Sequence, residues 1–204
     1  MEAAEWDAKY SERELVWSAG PNVFVERYCA DLPVGRALDV AGGEGRNGLW
    51  LADRGWTATV ADFSQVALDR AAALWDRRDE KRGVLEVRRV DVLSDPLGHR
   101  DHDLVVVAYL QLAELQRRAA LRSAAEAVAP GGVLLVVAHH TDNLTEGYGG
   151  PQNAVWLYSE HDVVDDLGGT GLVPEVAERA VREVQVDGAV RAALDAVVLA
   201  RRPG

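Results

Sequence analysis

Short hydrophobic runs alternate along this chain with longer segments of helical periodicity. From about residue 37 onward, five runs predict strands: "RALDVAG", "TATVADF", "VLEVRRVDV", "HDLVVVAYL" and "GGVLLVVAHH". The last two are almost continuously apolar, as expected of parallel strands that are buried on both faces of a sheet. Strands that alternate with helices in this way form right-handed βαβ units, so the pattern predicts an open, doubly wound α/β sheet.

Capping residues set the predicted helix boundaries. Ser64 can cap the helix "QVALDRAAALWDRR", and Ser159 can cap a helix over "SEHDVVDDLGG". Gly55 closes the helix that begins at "RNGLWL". After residue 171, "LVPEVAERAVREVQV" and "RAALDAVVLARRP" predict a terminal antiparallel pair of strands, although the second segment also fits a helix.

Length and charge limit the function classes. A chain of 204 residues can form one domain with a stable core. Its formal net charge of −11, with basic residues scattered in pairs, disfavours a nucleic-acid partner and favours a small-molecule ligand. No apolar stretch is long enough for a membrane span or a secretion signal, and Cys29 is the only cysteine. We therefore expect a cytoplasmic protein.

A glycine-rich turn follows the first predicted strand. Residues 43–48 spell "GEGRNG", a G-x-G-x-x-G between a strand and a helix, and Asp62 ends the next strand. A carboxylate about 20 residues after such a turn reaches the ribose hydroxyls of a bound nucleoside. The motif predicts a nucleoside cofactor, and both a nicotinamide dinucleotide and S-adenosylmethionine are compatible with it.

Acidic residues around the turn separate these two cofactors. Asp39 lies in the strand that leads into the turn, and Glu44 lies inside it. Like charges about 4 Å apart cost several kcal/mol at an intermediate dielectric constant, so the turn is poorly suited to a pyrophosphate. S-adenosylmethionine carries an ammonium and a sulfonium group, which the same carboxylates attract. Asp91 after the third strand can accept a hydrogen bond from adenine, and Phe63 can stack on its ring.

These segments together resemble a known enzyme family. "ALDVAGGEGRNGLWLADRGW", "VADFS" and "VDV" are similar to class I S-adenosylmethionine-dependent methyltransferases, in particular to small single-domain bacterial members related to the tellurite-resistance and thiopurine S-methyltransferases. In the family pattern D-x-G-x-G-x-G, Ala41 replaces the first glycine, whereas Gly43 and Gly45 match. The resemblance implies a Rossmann-like sheet of seven strands in the order 3-2-1-4-5-7-6, with strand 7 antiparallel.

The same resemblance implies how the chain is divided and what it binds. We expect a single methyltransferase domain over 1–204, with a helical lid segment at 1–30, a cofactor-binding core at 36–140 and substrate-side elements at 141–204. The expected cofactor is S-adenosylmethionine, released as S-adenosylhomocysteine. The predicted cofactor contacts are Trp17, Asp39, Ala41, Gly42, Gly43, Gly45, Asn47, Asp62, Phe63, Asp91, Val92 and Ala108.

The sequence says less about the residues that contact the methyl acceptor. Tyr109 follows the fourth strand, and His139 and His140 follow the fifth, so these three residues are the predicted substrate contacts. Neighbouring residues of an extended segment point in opposite directions, so we expect only one of the two histidines to face the site. Their surroundings contain no further ligand at metal-site spacing, and no catalytic residue is assigned. The expected acceptor is a thiol, a metalloid or an aromatic heteroatom. The alternatives are a nicotinamide-dependent oxidoreductase and a non-catalytic cofactor-binding protein.

Overall fold

The computed structural model describes residues 20–204, so the predicted lid residue Trp17 lies outside the described part of the chain. The helices are α1 (Val23–Cys29), α2 (Arg46–Asp53), α3 (Gln65–Asp76), α4 (Glu114–Ala127) and α5 (Glu160–Asp166). The strands are β1 (Arg36–Val40), β2 (Thr57–Asp62), β3 (Val84–Arg89), β4 (His102–Ala108), β5 (Val128–His139), β6 (Val173–Val186) and β7 (Ala189–Arg201). Two short 3-10 helices, Thr141–Leu144 and Ala154–Trp156, lie between β5 and α5.

All of these strands belong to one seven-stranded sheet in the order β3-β2-β1-β4-β5-β7-β6. Strands β1 to β5 are parallel to their neighbours, whereas β7 runs antiparallel to both β5 and β6. The predicted strand order and the predicted antiparallel terminal pair are therefore confirmed. Among residues 20–204, no helix combines the length and the hydropathy that a membrane crossing requires.

Two hydrophobic clusters form the core, one on each face of the sheet. Residues from α1, α2 and α3, including Phe24 and Trp75, pack on one face. Residues from α4 and α5, including Leu121 and Val163, pack on the other face. Both faces of the central strands are covered, which explains why β4 and β5 are continuously apolar.

Local capping fixes where the helices begin. The Ser64 side chain accepts a hydrogen bond from the backbone N–H of Ala67, and Ser159 forms a reciprocal capping box with Asp162. Both residues are the N-caps that the sequence predicts. Each such cap contributes about 1 kcal/mol because it satisfies backbone donors that the helix leaves unpaired.

Strand β5 begins earlier than the sequence indicates. The apolar run predicts a start at the glycine pair after Pro130, but Val128 already pairs with His102 of β4. The register then shifts before the pairing resumes at Leu104 and Val133. Proline has no backbone N–H to donate, which is consistent with an interruption of the ladder at this point.

The β6–β7 hairpin extends beyond the carboxyl end of β5. Strand β5 ends with His139 opposite Asp195, whereas β6 and β7 remain paired as far as Val186 and Ala189. The segment after β5 runs along this extension, where the Tyr148 N–H donates to the Ala192 carbonyl at 2.9 Å. Hairpin and loop thus form a wall beside the carboxyl edge of the sheet, where ligands bind in open α/β folds.

Candidate active site

Left-handed backbone conformations shape the turn between β1 and α2. Gly43 and Gly45 have φ angles of 57° and 77°. Ala41 has a φ angle of 52°, a conformation in which a side chain costs about 1 kcal/mol. A Cβ atom on Gly42 would lie 2.8 Å from the Asp39 carboxylate, so this position also requires glycine. The family pattern places glycine at position 41, and the geometry explains that preference.

Several backbone donors of this turn are already used within the protein. Four N–H groups donate to protein oxygen atoms, and two of these acceptors are the carboxylates of Asp39 and Asp62. The donors are those of Gly42, Gly43, Gly45 and Gly48, at 3.1, 2.9, 2.9 and 3.0 Å respectively. A pyrophosphate needs such N–H groups to face it. The turn is therefore unsuited to a dinucleotide by hydrogen bonding as well as by charge.

Asp39 is an almost fully buried carboxylate at the carboxyl end of β1. Its side chain is 1 % exposed, and its Oδ2 atom accepts from the Gly48 N–H. Its Oδ1 atom is buried and has no hydrogen-bond partner within residues 20–204. Burial raises the pKa of Asp39 to about 6, against the lowering effect of hydrogen bonds from Gly48 and Asn47. A cationic ligand group at Oδ1 would supply the charge compensation that the protein lacks there.

The sequence predicts that Glu44 adds negative charge to the turn, but the structure pairs this charge with a cation. Its side chain is 3 % exposed and lies 2.8 Å from the Arg70 guanidinium of α3. This ion pair neutralises Glu44, so the acidic character of the turn rests on Asp39 and Asp62.

Arg46, the first residue of α2, is a site residue that the sequence reasoning missed. Its guanidinium carbon lies 5.8 Å from the centre of the Tyr109 ring. Burial lowers the pKa of Arg46, whereas the charges of Tyr109 and Asp39 act in the opposite direction. A cation and a buried anion thus lie near the same end of the turn. This pair of charges matches the carboxylate and ammonium groups of an amino acid.

Asp62 and Phe63 mark the nucleoside end of the site. The two carboxylate oxygens of Asp62 accept from the N–H groups of Gly43 and Ser64, each at 2.9 Å. A carboxylate oxygen can accept more than one hydrogen bond, so the Asp62 carboxylate is of a type that binds ribose hydroxyls. An open cavity of about 360 Å³ lies beside them; it is lined by Phe63, Arg89, Asp91 and Asp95. Phe63 and Asp91 are predicted cofactor contacts, whereas Arg89 and Asp95 are not.

The other predicted contacts lie at or below this edge. Asp91 is two residues beyond β3, and its carboxylate accepts from the Leu93 N–H at 3.0 Å. Val92 is partly buried against the core cluster that includes α4 and α5. Asn47 is 3 % exposed, and its side-chain oxygen accepts from the Asn22 N–H at 2.9 Å. Asn22 therefore ties the start of α1 to the turn, another contact that the sequence did not indicate.

A polar cluster occupies the carboxyl ends of β4, β5 and β7. The Tyr109 hydroxyl donates to Asp195 at 3.0 Å, and the Arg182 Nε–H donates to the same carboxylate at 2.6 Å. The His139 and Tyr109 rings are stacked with their centres 4.6 Å apart. Ala108 and Tyr109 both lie at the α1 side of the sheet. The structure thus brings two of the predicted substrate contacts together beside a predicted cofactor contact.

The ionisation states in this cluster follow from burial and charge. Burial, followed by the Asp195 charge, raises the pKa of Tyr109 to about 12, so its hydroxyl keeps its proton. Burial also favours the neutral form of Asp195, but the facing His139 and the Arg182 guanidinium outweigh it and lower its pKa. The carboxylate therefore stays ionised at neutral pH and can orient the groups around it.

His139 and His140 differ in their surroundings. His139 Nδ1 lies 3.3 Å from Asp195 Oδ1, an ion-pair separation without good hydrogen-bond alignment. His140 is 6 % exposed, its Nδ1 accepts from the Asp142 N–H at 3.0 Å, and its Nε2 lies 3.1 Å from Glu160. Both nitrogens of His140 therefore anchor the loop after β5. As expected, only His139 lies in the cluster around Tyr109.

Gln111 is a third unexpected feature of this edge. It lies two residues after Tyr109, and both atoms of its side-chain amide are buried without a hydrogen-bond partner in the described part of the chain. A buried donor or acceptor that is left unpaired costs about 1–3 kcal/mol. No motif drew attention to Gln111, since a single glutamine after a strand carries no signal in a sequence.

Comparison with known proteins adds to these observations. Residues 37–132 match the model of a family described as "Methyltransferase domain". No curated protein sequence matches the chain.

Many solved structures resemble the fold. NodS, an N-methyltransferase from Bradyrhizobium japonicum WM9 solved with S-adenosylhomocysteine, is 17% identical, with a TM-score of 0.73 and coverage of 100% of both chains. TehB from Haemophilus influenzae is 16% identical, with a TM-score of 0.72 and coverage of 97% of this chain and 67% of that one. A structure that concerns the conversion of a disulfide bond into a thioacetal group during echinomycin biosynthesis is 22% identical, with a TM-score of 0.73 and coverage of 98% and 92%.

The strand order, the acidic glycine turn and the matched domain lead to one conclusion. The predicted cofactor, S-adenosylmethionine, agrees with the matched family and with the acidic turn. Residues 37–132 match a methyltransferase domain, and the seven-stranded fold is that of S-adenosylmethionine-dependent methyltransferases.

Proposed function

We propose that this enzyme methylates a heteroatom of a small molecule at the edge formed by Tyr109 and His139. The observation that carries the proposal is a continuous row of groups along the carboxyl edge. The row runs from the cavity at Phe63, past Asp62 and Asp39, to the cluster around Tyr109. If the nucleoside of the methyl donor binds at the Phe63 cavity, the methyl carbon lies towards the cluster around Tyr109.

Each part of the donor has a complementary group. The Phe63 cavity would take the adenine, with Asp91 and Val92 at its edge, and Asp62 would bind the ribose. The unpartnered Oδ1 atom of Asp39 would bind the ammonium group, and Arg46 would bind the carboxylate. When bound, S-adenosylmethionine supplies a methyl group on a positively charged sulfur. The acceptor side then lies at Tyr109 and His139, and His140 serves the adjacent loop.

We base the acceptor class on the polarity of this edge. The hairpin and the loop after β5 meet here, and Tyr109, Asp195 and Arg182 supply polar groups. We propose a thiol, a metalloid or an aromatic heteroatom as the acceptor. Sulfur is included because one structure with this fold concerns disulfide and thioacetal chemistry. The remaining contribution of the protein is alignment and the exclusion of water.

Mass spectrometry of reaction mixtures tests this proposal. Purified enzyme with S-adenosylmethionine is incubated with a panel of thiols, phenols, aromatic amines and a metalloid oxyanion. We expect a product heavier by one methyl group, together with S-adenosylhomocysteine, for at least one class. Binding of S-adenosylhomocysteine without any methylated product would instead favour a non-catalytic cofactor-binding protein.

A further inference from the structure

We propose that His139 is a catalytic base and that the acceptor carries its proton until transfer, as a phenol or a thiol does. This inference rests on the proposed function and narrows its acceptor classes to those that carry a proton. A metalloid oxyanion or another already ionised nucleophile needs no base.

The environment of the two ring nitrogens supports this role. Nδ1 faces the carboxylate of Asp195, which is fully buried, at 3.3 Å. Nε2 makes no hydrogen bond within residues 20–204, and unlike Nδ1 it is not among the buried polar atoms. A proton on Nδ1 is favoured by the facing carboxylate, which leaves the lone pair of Nε2 directed to the accessible side. The arrangement is that of an imidazole oriented by an acid, with its second nitrogen open to a substrate.

Two charged or titratable groups face the His139 ring: Asp195 on β7 and Tyr109 after β4. Two cations, Arg182 on β6 and Arg46 on α2, lie next to Tyr109. Asp195 stabilises the imidazolium that forms when His139 accepts a proton. The two guanidinium groups, 5.7 and 5.8 Å from the centre of the Tyr109 ring, favour the anion that forms on the acceptor. Tyr109 keeps its own proton and cannot compete as the base.

Backbone packing holds the ring in place. Gly150, in the loop after β5, has a φ angle of 75°, and a Cβ atom built on it would lie 2.9 Å from the His139 ring. The loop backbone therefore covers one side of the imidazole, and Tyr109 stacks on it at 4.6 Å. These two contacts restrict the ring, which favours one direction for Nε2.

The chemical step balances without any further reactant. A lone pair on the acceptor atom forms a bond to the methyl carbon, and the carbon–sulfur bond breaks with its electron pair returning to sulfur. The acceptor's proton passes to Nε2 of His139. The products are the methylated acceptor, S-adenosylhomocysteine and a protonated His139, which releases its proton to water.

His139→Gln tests the inference with paired acceptors. Phenol and phenylmethanethiol, which are largely protonated at the assay pH of 7.5, are compared with 4-nitrophenol and 4-nitrothiophenol, which are largely ionised. We expect kcat to fall by roughly 10²–10⁴-fold for the protonated acceptors and by less than about tenfold for the ionised ones. The rise of kcat/KM with pH that a catalytic base produces should also disappear. The affinity for S-adenosylhomocysteine, measured by calorimetry, should not change.

Two further variants separate chemistry from folding. His161→Gln makes the same substitution on an exposed residue of α5 and should behave like the wild type. Asp195 is the residue that positions His139. Asp195→Asn should therefore weaken the rise of kcat/KM with pH and leave the affinity for S-adenosylhomocysteine unchanged. Equal losses of His139→Gln on protonated and ionised acceptors would overturn the inference while the proposed function stands. Absence of turnover by the wild-type enzyme on every acceptor would overturn both.

Discussion

The ionisation of Asp39 gives a quantitative test of the claim that the glycine turn holds a buried carboxylate. Burial raises the pKa of this carboxyl group from 3.8 to about 6. One pKa unit corresponds to about 1.36 kcal/mol, so the shift represents about 3 kcal/mol. Well below pH 3.8 the carboxyl group is protonated in both the folded and the unfolded chain, so it does not lower the free energy of unfolding. Between about pH 4 and 6 the unfolded chain releases the proton first, so the free energy of unfolding falls and stays lower above pH 6.

The variant Asp39→Asn removes this titration. Its amide oxygen can still accept the Gly48 N–H, but it carries no charge at any pH. We expect its free energy of unfolding, relative to wild type, to rise by about 2 kcal/mol between pH 4 and pH 7, because the unfolded chain is already partly ionised at pH 4. Constant costs of the substitution cancel in this comparison, since they do not depend on pH.

Urea denaturation of the ligand-free proteins at several pH values measures the difference. Asp79→Asn, on an exposed residue of the loop after α3, is the matched control and should show no such trend. Saturating S-adenosylhomocysteine should reduce or reverse the advantage of Asp39→Asn, because its ammonium compensates the wild-type carboxylate. A stability difference that is flat from pH 4 to 7 would refute the assignment of a costly, uncompensated charge to Asp39.

Three other substitutions test separate features of the site. Gln111→Leu removes two unpaired buried polar atoms, so calorimetry should show about 1–3 kcal/mol more stability; unchanged stability would contradict the burial argument. Ala41→Gly relieves a left-handed alanine, and its melting temperature should rise by about 1–4 °C; a fall would mean that the turn tolerates alanine without strain. Gly150→Ala should lower kcat because its Cβ meets the His139 ring, whereas Gly149→Ala, with a similar φ angle of 74° and open space, should not; equal kcat values would exclude the contact.

Most of the fold could be predicted from the sequence because its signals are local. Apolar runs mark the buried parallel strands, and Ser64 and Ser159 mark helix starts through hydrogen bonds that span three residues. The order of the strands came from the family resemblance, since the pairing of β7 between β5 and β6 depends on contacts that are distant in sequence. The early start of β5 at Val128 was missed because its partner, His102, lies 26 positions away.

The candidate site was predictable at its nucleoside end and only partly at its acceptor end. Asp62 follows the glycine turn at a characteristic distance, so its position near Gly43 could be expected. Asp195 offered a similar signal, a carboxylate within the buried strand "AALDAVVLA", which needs a compensating partner. Its partner Arg182 lies on another strand, and no spacing rule links the two. Charge counts along the sequence also missed the Arg70 pairing that neutralises Glu44.

Titration calorimetry of the wild-type enzyme and Asp62→Ala with S-adenosylhomocysteine and with NADH tests the central claim most directly. We expect micromolar binding of S-adenosylhomocysteine, with the variant weaker by about 1–3 kcal/mol, or about 5- to 150-fold, because a charged hydrogen bond to the ribose is lost. NADH should not bind, because its pyrophosphate meets buried carboxylates and backbone donors that are already used. Tight binding of NADH, or an S-adenosylhomocysteine affinity that is unchanged in Asp62→Ala, would contradict the account.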